Sequence, residues 1–155
     1  MIAADKFTNL NQLTNALYVL GKFKYRSNDQ NQFIDQAITR LKSEPKLEIK
    51  LACRNLWNLF ALDYKSDVAL KLFADVILRV GEPYKLNELD IANSLRAFAH
   101  FQFVNYDCME LLLKQTIRSA SEMKLRSLAV IVNSFAELDV INPTLLGITR
   151  EILLN

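Results

Sequence analysis

The sequence predicts an all-α protein, an α-solenoid of about four helix-turn-helix repeats that forms a single domain over residues 1–155. Three observations support this fold class. Helix-breaking residues are scarce, an apolar pattern recurs every 37–39 residues, and polar corners separate paired apolar segments. Only three glycines and three prolines occur, whereas sheet-rich or loop-rich folds need more of both for their turns. Long helices with short connections therefore fit the composition best.

Four segments of the chain match one another at successive offsets of 39, 39 and 37 residues. The match joins residues 51–62, 91–101 and 128–138, and more weakly 13–23. Four alignment columns are apolar in every copy. These columns are Leu13, Ala52, Ile91 and Leu128; Leu17, Leu56, Leu95 and Val132; Leu20, Leu59, Phe98 and Phe135; and Phe23, Leu62, Phe101 and Leu138. We therefore expect four repeats, spanning approximately 7–42, 45–80, 84–118 and 123–155.

Each predicted first helix is followed by a polar corner and a second apolar-periodic segment. The second helices are expected at 33–41, 68–78, 109–117 and 145–153. The expected N-caps are Asp29, Asp67, Asp107 and Asn142. Apolar residues at the end of the last repeat, including Leu145, Ile148 and Ile152, would be partly uncovered. This pattern favours a protein partner or a further repeat.

The charge of the chain is unevenly distributed, although its net value is only +2. Residues 1–81 carry twelve Lys and Arg against eight Asp and Glu, a balance of +4. Residues 82–155 carry seven against nine, a balance of −2. The N-terminal half is therefore the better candidate for contacts with phosphates.

The two cysteines and the apolar runs indicate neither a metal site nor a membrane span. Cys53 and Cys108 lack CxxC spacing and neighbouring His ligands, so we expect two buried, reduced thiols and no cofactor. No uninterrupted apolar run approaches the ~20 residues that a membrane helix needs, so no membrane insertion is expected. No targeting peptide is visible after Met1.

Two segments end in similar patterns, LRAFAHF at 95–101 and VNSFAEL at 132–138, and LWNLFAL at 56–62 is a looser version. These segments resemble the heptatricopeptide and octotricopeptide repeats, and the related helical repeats of FAST-kinase-like proteins. The resemblance implies an organellar RNA-binding protein, located in mitochondria and belonging to a ribonucleoprotein such as the mitochondrial ribosome. No RAP nuclease-like domain, which often follows such repeats, is found in the sequence, so no nuclease role is carried over.

Candidate RNA contacts lie on the polar stripe of the first helices and in basic clusters near them. Amides can bond base edges, while rings and guanidinium planes can stack on bases. The candidate residues are Lys22, Lys24, Arg26, Arg54, Asn58, Asn93, Arg96, His100, Lys124, Arg126 and Asn133. The alternative interpretation is a solvated helix face, with Lys22 and Lys24 offsetting the macrodipole at a helix C-terminus.

Nothing in the sequence indicates catalysis. His100 is the only histidine, and no second base or activated nucleophile accompanies it at a recognisable spacing. Three scattered glycines cannot form a phosphate-binding loop. The sequence therefore predicts a non-catalytic RNA-binding protein that also contacts other protein subunits at its uncovered ends. The alternative function is an interaction scaffold of the same fold without direct RNA contact.

Overall fold

The computed structural model describes residues 3–24, 27, 29–81 and 84–154. These residues form eight α-helices and two short 3-10 turns, without any β-strand, which confirms the all-α prediction. The helices are α1 (Leu10–Lys22), α2 (Gln30–Lys42), α3 (Ile49–Leu62), α4 (Asp67–Val80), α5 (Glu88–His100), α6 (Tyr106–Ser119), α7 (Leu125–Glu137) and α8 (Pro143–Leu154). Each predicted second helix lies within an observed one. The predicted site residue Arg26 lies outside the described residues.

The odd-numbered helices α1, α3, α5 and α7 form one row, in which each helix packs against the next. The row is parallel, because contacts join equivalent ends of neighbouring helices. At the C-terminal ends of α3 and α5, Asp63 Oδ1 lies 2.7 Å from His100 Nε2. At the N-terminal ends of α5 and α7, Glu88 Oε2 accepts a 2.7 Å hydrogen bond from the amide of Lys124. The even-numbered helices contact one another in the same order and form a second row.

Most residues of the apolar columns predicted from the sequence lie in the core between these rows. Thirteen of the sixteen residues are buried, and Leu20 and Val132 are half-buried. Phe23 is the exception, with 77% of its surface exposed, so its predicted place in the core is wrong. The column shows that the position is apolar, but burial also requires a neighbouring helix, and the described residues place none beside this side of α1.

The C-terminal ends of the first-row helices share one backbone geometry. The residue one or two positions beyond each helix has a positive φ: 49° at Lys24, 51° at Asp63, 53° at Gln102 and 57° at Asp139. The amide of each donates to the carbonyl three residues earlier, at 3.0–3.3 Å. These four residues follow one another at 39, 39 and 37 residues, the offsets of the apolar columns. A left-handed residue at the helix end satisfies carbonyls that would otherwise lack donors.

Two of the predicted N-caps differ from the observed ones. Ser66 caps α4 and Asn105 caps α6, each accepting from the amide three residues later at 3.3 and 3.0 Å. The predicted residues Asp67 and Asp107 lie within the first helical turn, where a carboxylate still favours the positive end of the helix dipole. Asn142 accepts from the amide of Leu145 at 3.0 Å, as a cap does. Asp29 occupies the cap position of α2 without a side-chain hydrogen bond.

Candidate nucleic-acid interface

Most of the predicted RNA-contacting residues lie on the outer side of the first row. We call this surface the first-row stripe, and it comprises Asn15, Tyr18, Lys22, Arg54, Trp57, Asn93, Arg96, His100, Asn133 and Glu137. Eight of these residues are exposed, and Trp57 and Asn93 are half-buried. A spacing of three or four residues places each member about one turn from the next on its own helix, and the parallel row then aligns the members laterally.

The α1–α3 part of the first-row stripe joins a polar pair and an aromatic pair. Arg54 Nη2 donates a 2.7 Å hydrogen bond to Asn15 Oδ1. One turn further on, the rings of Tyr18 and Trp57 have centroids 5.1 Å apart and are inclined at 31°. Both pairs leave planar groups at the surface. Asn15 and Arg54 are exposed, Tyr18 is 41% exposed and Trp57 is half-buried.

The α3–α5 part combines a cation, two rings and a carboxylate. The Arg96 guanidinium carbon lies 4.6 Å from the centroid of the Phe60 ring. His100 meets the same ring edge to face at 5.1 Å, and its Nε2 lies 2.7 Å from Asp63 Oδ1. The sequence interpretation did not include Phe60 or Asp63 in the site. Their distances from His100 in the chain, 40 and 37 residues, are close to the 37–39-residue offsets of the apolar columns, which is the signal that could have found them.

A groove of about 450 Å³ lies where α5 meets α7 on the first-row stripe. It brings together three predicted residues, Arg96, His100 and Asn133, with Phe60 and Glu137. Asn133 Nδ2 donates a 2.6 Å hydrogen bond to Glu137 Oε1. The groove therefore offers amide, carboxylate, imidazole and guanidinium groups around one volume.

Asn58 does not belong to this surface, and its prediction as an exposed RNA contact is wrong. Only 1% of its surface is exposed. Its Nδ2 donates to the carbonyl of Thr14 at 3.0 Å and to Asn55 Oδ1 at 3.2 Å. Asn55 in turn donates to Thr14 Oγ1 at 2.9 Å, so the three residues form a buried polar network between α1 and α3. One residue beyond Trp57, the side chain is rotated by about 100° around the helix and faces α1 instead of solvent.

The predicted basic residues do not form one patch. Lys22 and Lys24 are exposed at the C-terminal end of α1. Lys124 and Arg126 are exposed at the N-terminal end of α7. Because the row is parallel, these two pairs lie at opposite edges and also on the first and last helices of the row. Lys22 belongs to the first-row stripe, and Lys24 extends it beyond the end of α1.

A second cavity, of about 520 Å³, opens between α1 and α2. Its lining is largely apolar and includes Phe7, Ala16, Val19, Leu20 and Phe33. The rings of Phe7 and Phe33 lie 5.9 Å apart at one wall. Neither the apolar columns nor the polar corners predicted this cavity. Part of its wall, including Ala16 and Val19, lies on the side of α1 that no other described helix of the first row covers.

The described residues contain no group of three or more His, Cys, Asp or Glu that could hold a metal ion. Cys53 and Cys108 are buried free thiols, as predicted, and burial raises the pKa of each to about 12. No described helix has the length and apolar character needed to cross a membrane. Comparisons with protein-family models and with curated proteins find no match for this chain.

Proposed function

We propose that the chain is a non-catalytic α-solenoid of four repeats that binds single-stranded RNA along the first-row stripe. The observation that carries the proposal is the succession of planar groups across adjacent helices. Tyr18 lies against Trp57, and Arg96 lies over Phe60 beside His100. Proteins that bind single strands use such rings and guanidinium planes as platforms for bases, each stacking contact being worth about 1–3 kcal/mol.

The four-repeat architecture is supported by packing and backbone geometry together. The first-row helices pack in chain order and in parallel, and their left-handed end residues recur at the 39-, 39- and 37-residue offsets. In a helical-repeat protein, equivalent side chains then line one surface, so that each repeat can present one set of groups to successive nucleotides.

The groove at Arg96, His100 and Asn133 is the position at which we expect the most specific contact. Its volume of about 450 Å³ lies within the range of small-molecule sites, about 300–1,000 Å³. Amide and carboxylate groups there can bond the edge of an unpaired base, while Arg96 and Phe60 supply stacking faces.

The charge distribution indicates limited phosphate contact. Lys22 and Lys24 supply positive charge at one end of the stripe, whereas Glu137 makes the other end acidic. A net charge of +2 fits a subunit that meets RNA over a small area better than a free-standing binder, because phosphate neutralisation supplies most non-specific affinity. Together with the repeat resemblance, this supports a place in a mitochondrial ribonucleoprotein such as the mitochondrial ribosome.

Fluorescence anisotropy with labelled single-stranded RNA tests the proposal. Replacing Arg54, Asn93, Arg96 and Asn133 together by Ala should weaken binding by ~1–3 kcal/mol for each stacking contact that is lost. Exposed substitutions usually change stability by no more than about 0.5 kcal/mol, so the variant should fold. An affinity equal to that of the wild type would exclude the first-row stripe.

A matched pair of charge variants tests the role of the basic end. Lys22→Gln with Lys24→Gln should reduce affinity and flatten its salt dependence by up to ~0.7 per phosphate contact. Lys42→Gln with Lys71→Gln removes the same charge from exposed positions of the second row and should leave both quantities nearly unchanged. Equal effects of the two pairs would show a general charge effect instead of a site.

A protein-binding scaffold is the second candidate function. It is favoured by the apolar residues exposed around α8, where Ile141, Leu146, Leu153 and Leu154 are 50–75% exposed. A scaffold would tolerate the stripe variants but would lose a protein subunit when Leu153→Asp is introduced. That pair of results would replace RNA binding as the proposed function.

A further inference from the structure

Each later helix of the first row buries three equivalent positions that face the preceding helix. We call this side of a helix its leading face. In α3, α5 and α7 all nine residues are buried: Asn55, Asn58 and Leu62, then Ser94, Ala97 and Phe101, then Ile131, Ser134 and Leu138. The matching residues of α1 are Ala16, Val19 and Phe23. Ala16 is half-buried, and Val19 and Phe23 are 49% and 77% exposed.

The leading face of α1 is therefore an apolar surface with the geometry of an interior one. The cavity of about 520 Å³ borders it, and Ala16 and Val19 form part of the cavity wall. The residue of α3 that is equivalent to Val19 is Asn58, whose amide donates a hydrogen bond across to α1. Val19 has no such polar group. Apolar side chains therefore suit this face as a partner better than polar ones do.

The opposite side of α7 presents such side chains, and we call it the trailing face of α7. Its residue Ala129 is exposed, although the equivalent residues of the three earlier helices, Thr14, Cys53 and Ala92, are all buried against the next helix. Ala129 also lines the groove where α5 meets α7. Ala136 is also exposed, and its equivalent Gly21 allows close packing on Ala61 in the α1–α3 contact. Leu125 adds a side chain that is 57% exposed.

The charges on the two faces are complementary in the same register. Across α3 and α5, Asp63 lies 2.7 Å from His100. The residue equivalent to Asp63 is Asp139, just beyond the C-terminal end of α7, and the residue equivalent to His100 is Lys22, on the first-row stripe beside the leading face of α1. Both are exposed. Two copies joined in this register would place a carboxylate beside an ammonium group, and the balances of +4 and −2 in the two halves favour the same orientation.

We propose that the trailing face of α7 in one copy packs on the leading face of α1 in a second copy, so that the first row continues from chain to chain. The inference rests on the four-repeat register of the proposed function, but not on RNA binding. The contact joins two different faces, so it leaves one free face at each end and adds further copies as the concentration rises.

Sedimentation velocity without RNA tests this self-association. The average mass of the wild-type chain should rise with concentration beyond the mass of two chains. Val19→Asp and Ala129→Asp should each abolish the rise, because each places a charge in one of the two faces. Val68→Asp is the matched control: Val68 is 55% exposed on α4, and this change should leave the association intact.

Mixing the two face variants gives the sharpest result. The Val19→Asp chain keeps its trailing face and the Ala129→Asp chain keeps its leading face, so the mixture should form species of two chains and nothing larger. A wild-type chain that keeps the mass of 17.8 kDa at every concentration overturns the proposal. So does a mixture that stays monomeric, or a Val68→Asp variant that fails to associate.

The Val19→Asp variant separates this inference from RNA binding, because Val19 lies outside the groove where α5 meets α7, whereas Ala129 lines it. Retained RNA affinity in the monomeric Val19→Asp chain, together with its loss of self-association, supports the head-to-tail contact and leaves RNA binding standing. Concentration-dependent association in a chain that binds no RNA supports the contact and removes only the proposed ligand. Melting temperatures of all three variants near that of the wild type establish that the chains are folded.

Discussion

Phe101 and Phe23 are the same residue type in one apolar column, but among the residues that the structure describes only Phe101 is packed against a preceding helix. Phe101 is 6% exposed and meets the ring of His100 at 4.8 Å, whereas Phe23 is 77% exposed. Truncating a buried Phe to Ala removes its transfer free energy and leaves a cavity, at a cost of about 3–5 kcal/mol. We therefore expect Phe101→Ala to lower the free energy of unfolding by that amount, and Phe23→Ala to change it by about 0.5 kcal/mol or less.

The two variants are compared by urea denaturation followed by circular dichroism, in dilute solution where chains do not associate. At roughly 2–4 °C per kcal/mol for a chain of this size, Phe101→Ala should also lower the melting temperature by about 6–20 °C. Because both variants replace Phe by Ala, the difference between their free energies of unfolding reports the effect of the neighbouring helix. Free energies of unfolding that agree within about 0.5 kcal/mol would refute the assignment of these positions to the leading face.

Three further predictions concern the backbone, the buried carboxyl and the thiols. Lys24→Gly should raise the free energy of unfolding by roughly 0.5–1 kcal/mol, because a φ of 49° strains any residue with a Cβ. A decrease in the denaturation midpoint of this variant would contradict the left-handed conformation of Lys24. Burial raises the pKa of Asp90, and its Oδ2 has no hydrogen-bond partner among the described residues. The fold therefore favours the protonated carboxyl, and the free energy of unfolding falls as the pH rises through the folded-state pKa. Asp90→Asn should therefore melt higher than the wild type at pH 7, with the difference shrinking as the pH falls towards 3.8, the ordinary pKa; a lower melting temperature at pH 7 would contradict it. Cys53 and Cys108, whose pKa values burial raises to about 12, should react with a thiol reagent only after denaturant is added, and immediate labelling of the native chain would contradict their burial.

The helices and the part of the core that the apolar columns supply could be predicted from the sequence, because burial in this fold depends on a repeated spacing of apolar residues. The columns containing Leu13 and Phe98 show this, since every helix of the row needs an apolar residue at those points. Phe23 could not be placed in the same way, because its exposure depends on a neighbouring helix that the pattern within a column does not reveal. Ser66 and Asp67 show a smaller limit: both residue types can cap a helix, so the start of α4 was uncertain by one residue.

The candidate site could be predicted only as far as the repeat register determined it. Arg96, His100 and Asn133 meet at one groove because equivalent positions of parallel neighbours are adjacent. Asn58 was misplaced because the outer side of a helix and the side that faces its neighbour are only one residue apart. The contacts of Phe60 with Arg96 and His100 join the neighbouring helices α3 and α5 and have no signal within either helix. RNA binding itself remains a prediction.

Trp57 allows the most direct test of the proposed RNA surface. It is the only tryptophan of the chain, and it lies at the centre of the first-row stripe against Tyr18. If bases stack on this surface, titration with a single-stranded oligonucleotide should quench the fluorescence of Trp57 to a saturating level, with the same midpoint as the anisotropy of the labelled RNA. An unchanged Trp57 emission across a range in which the RNA is fully bound, or no binding at all, would contradict the account.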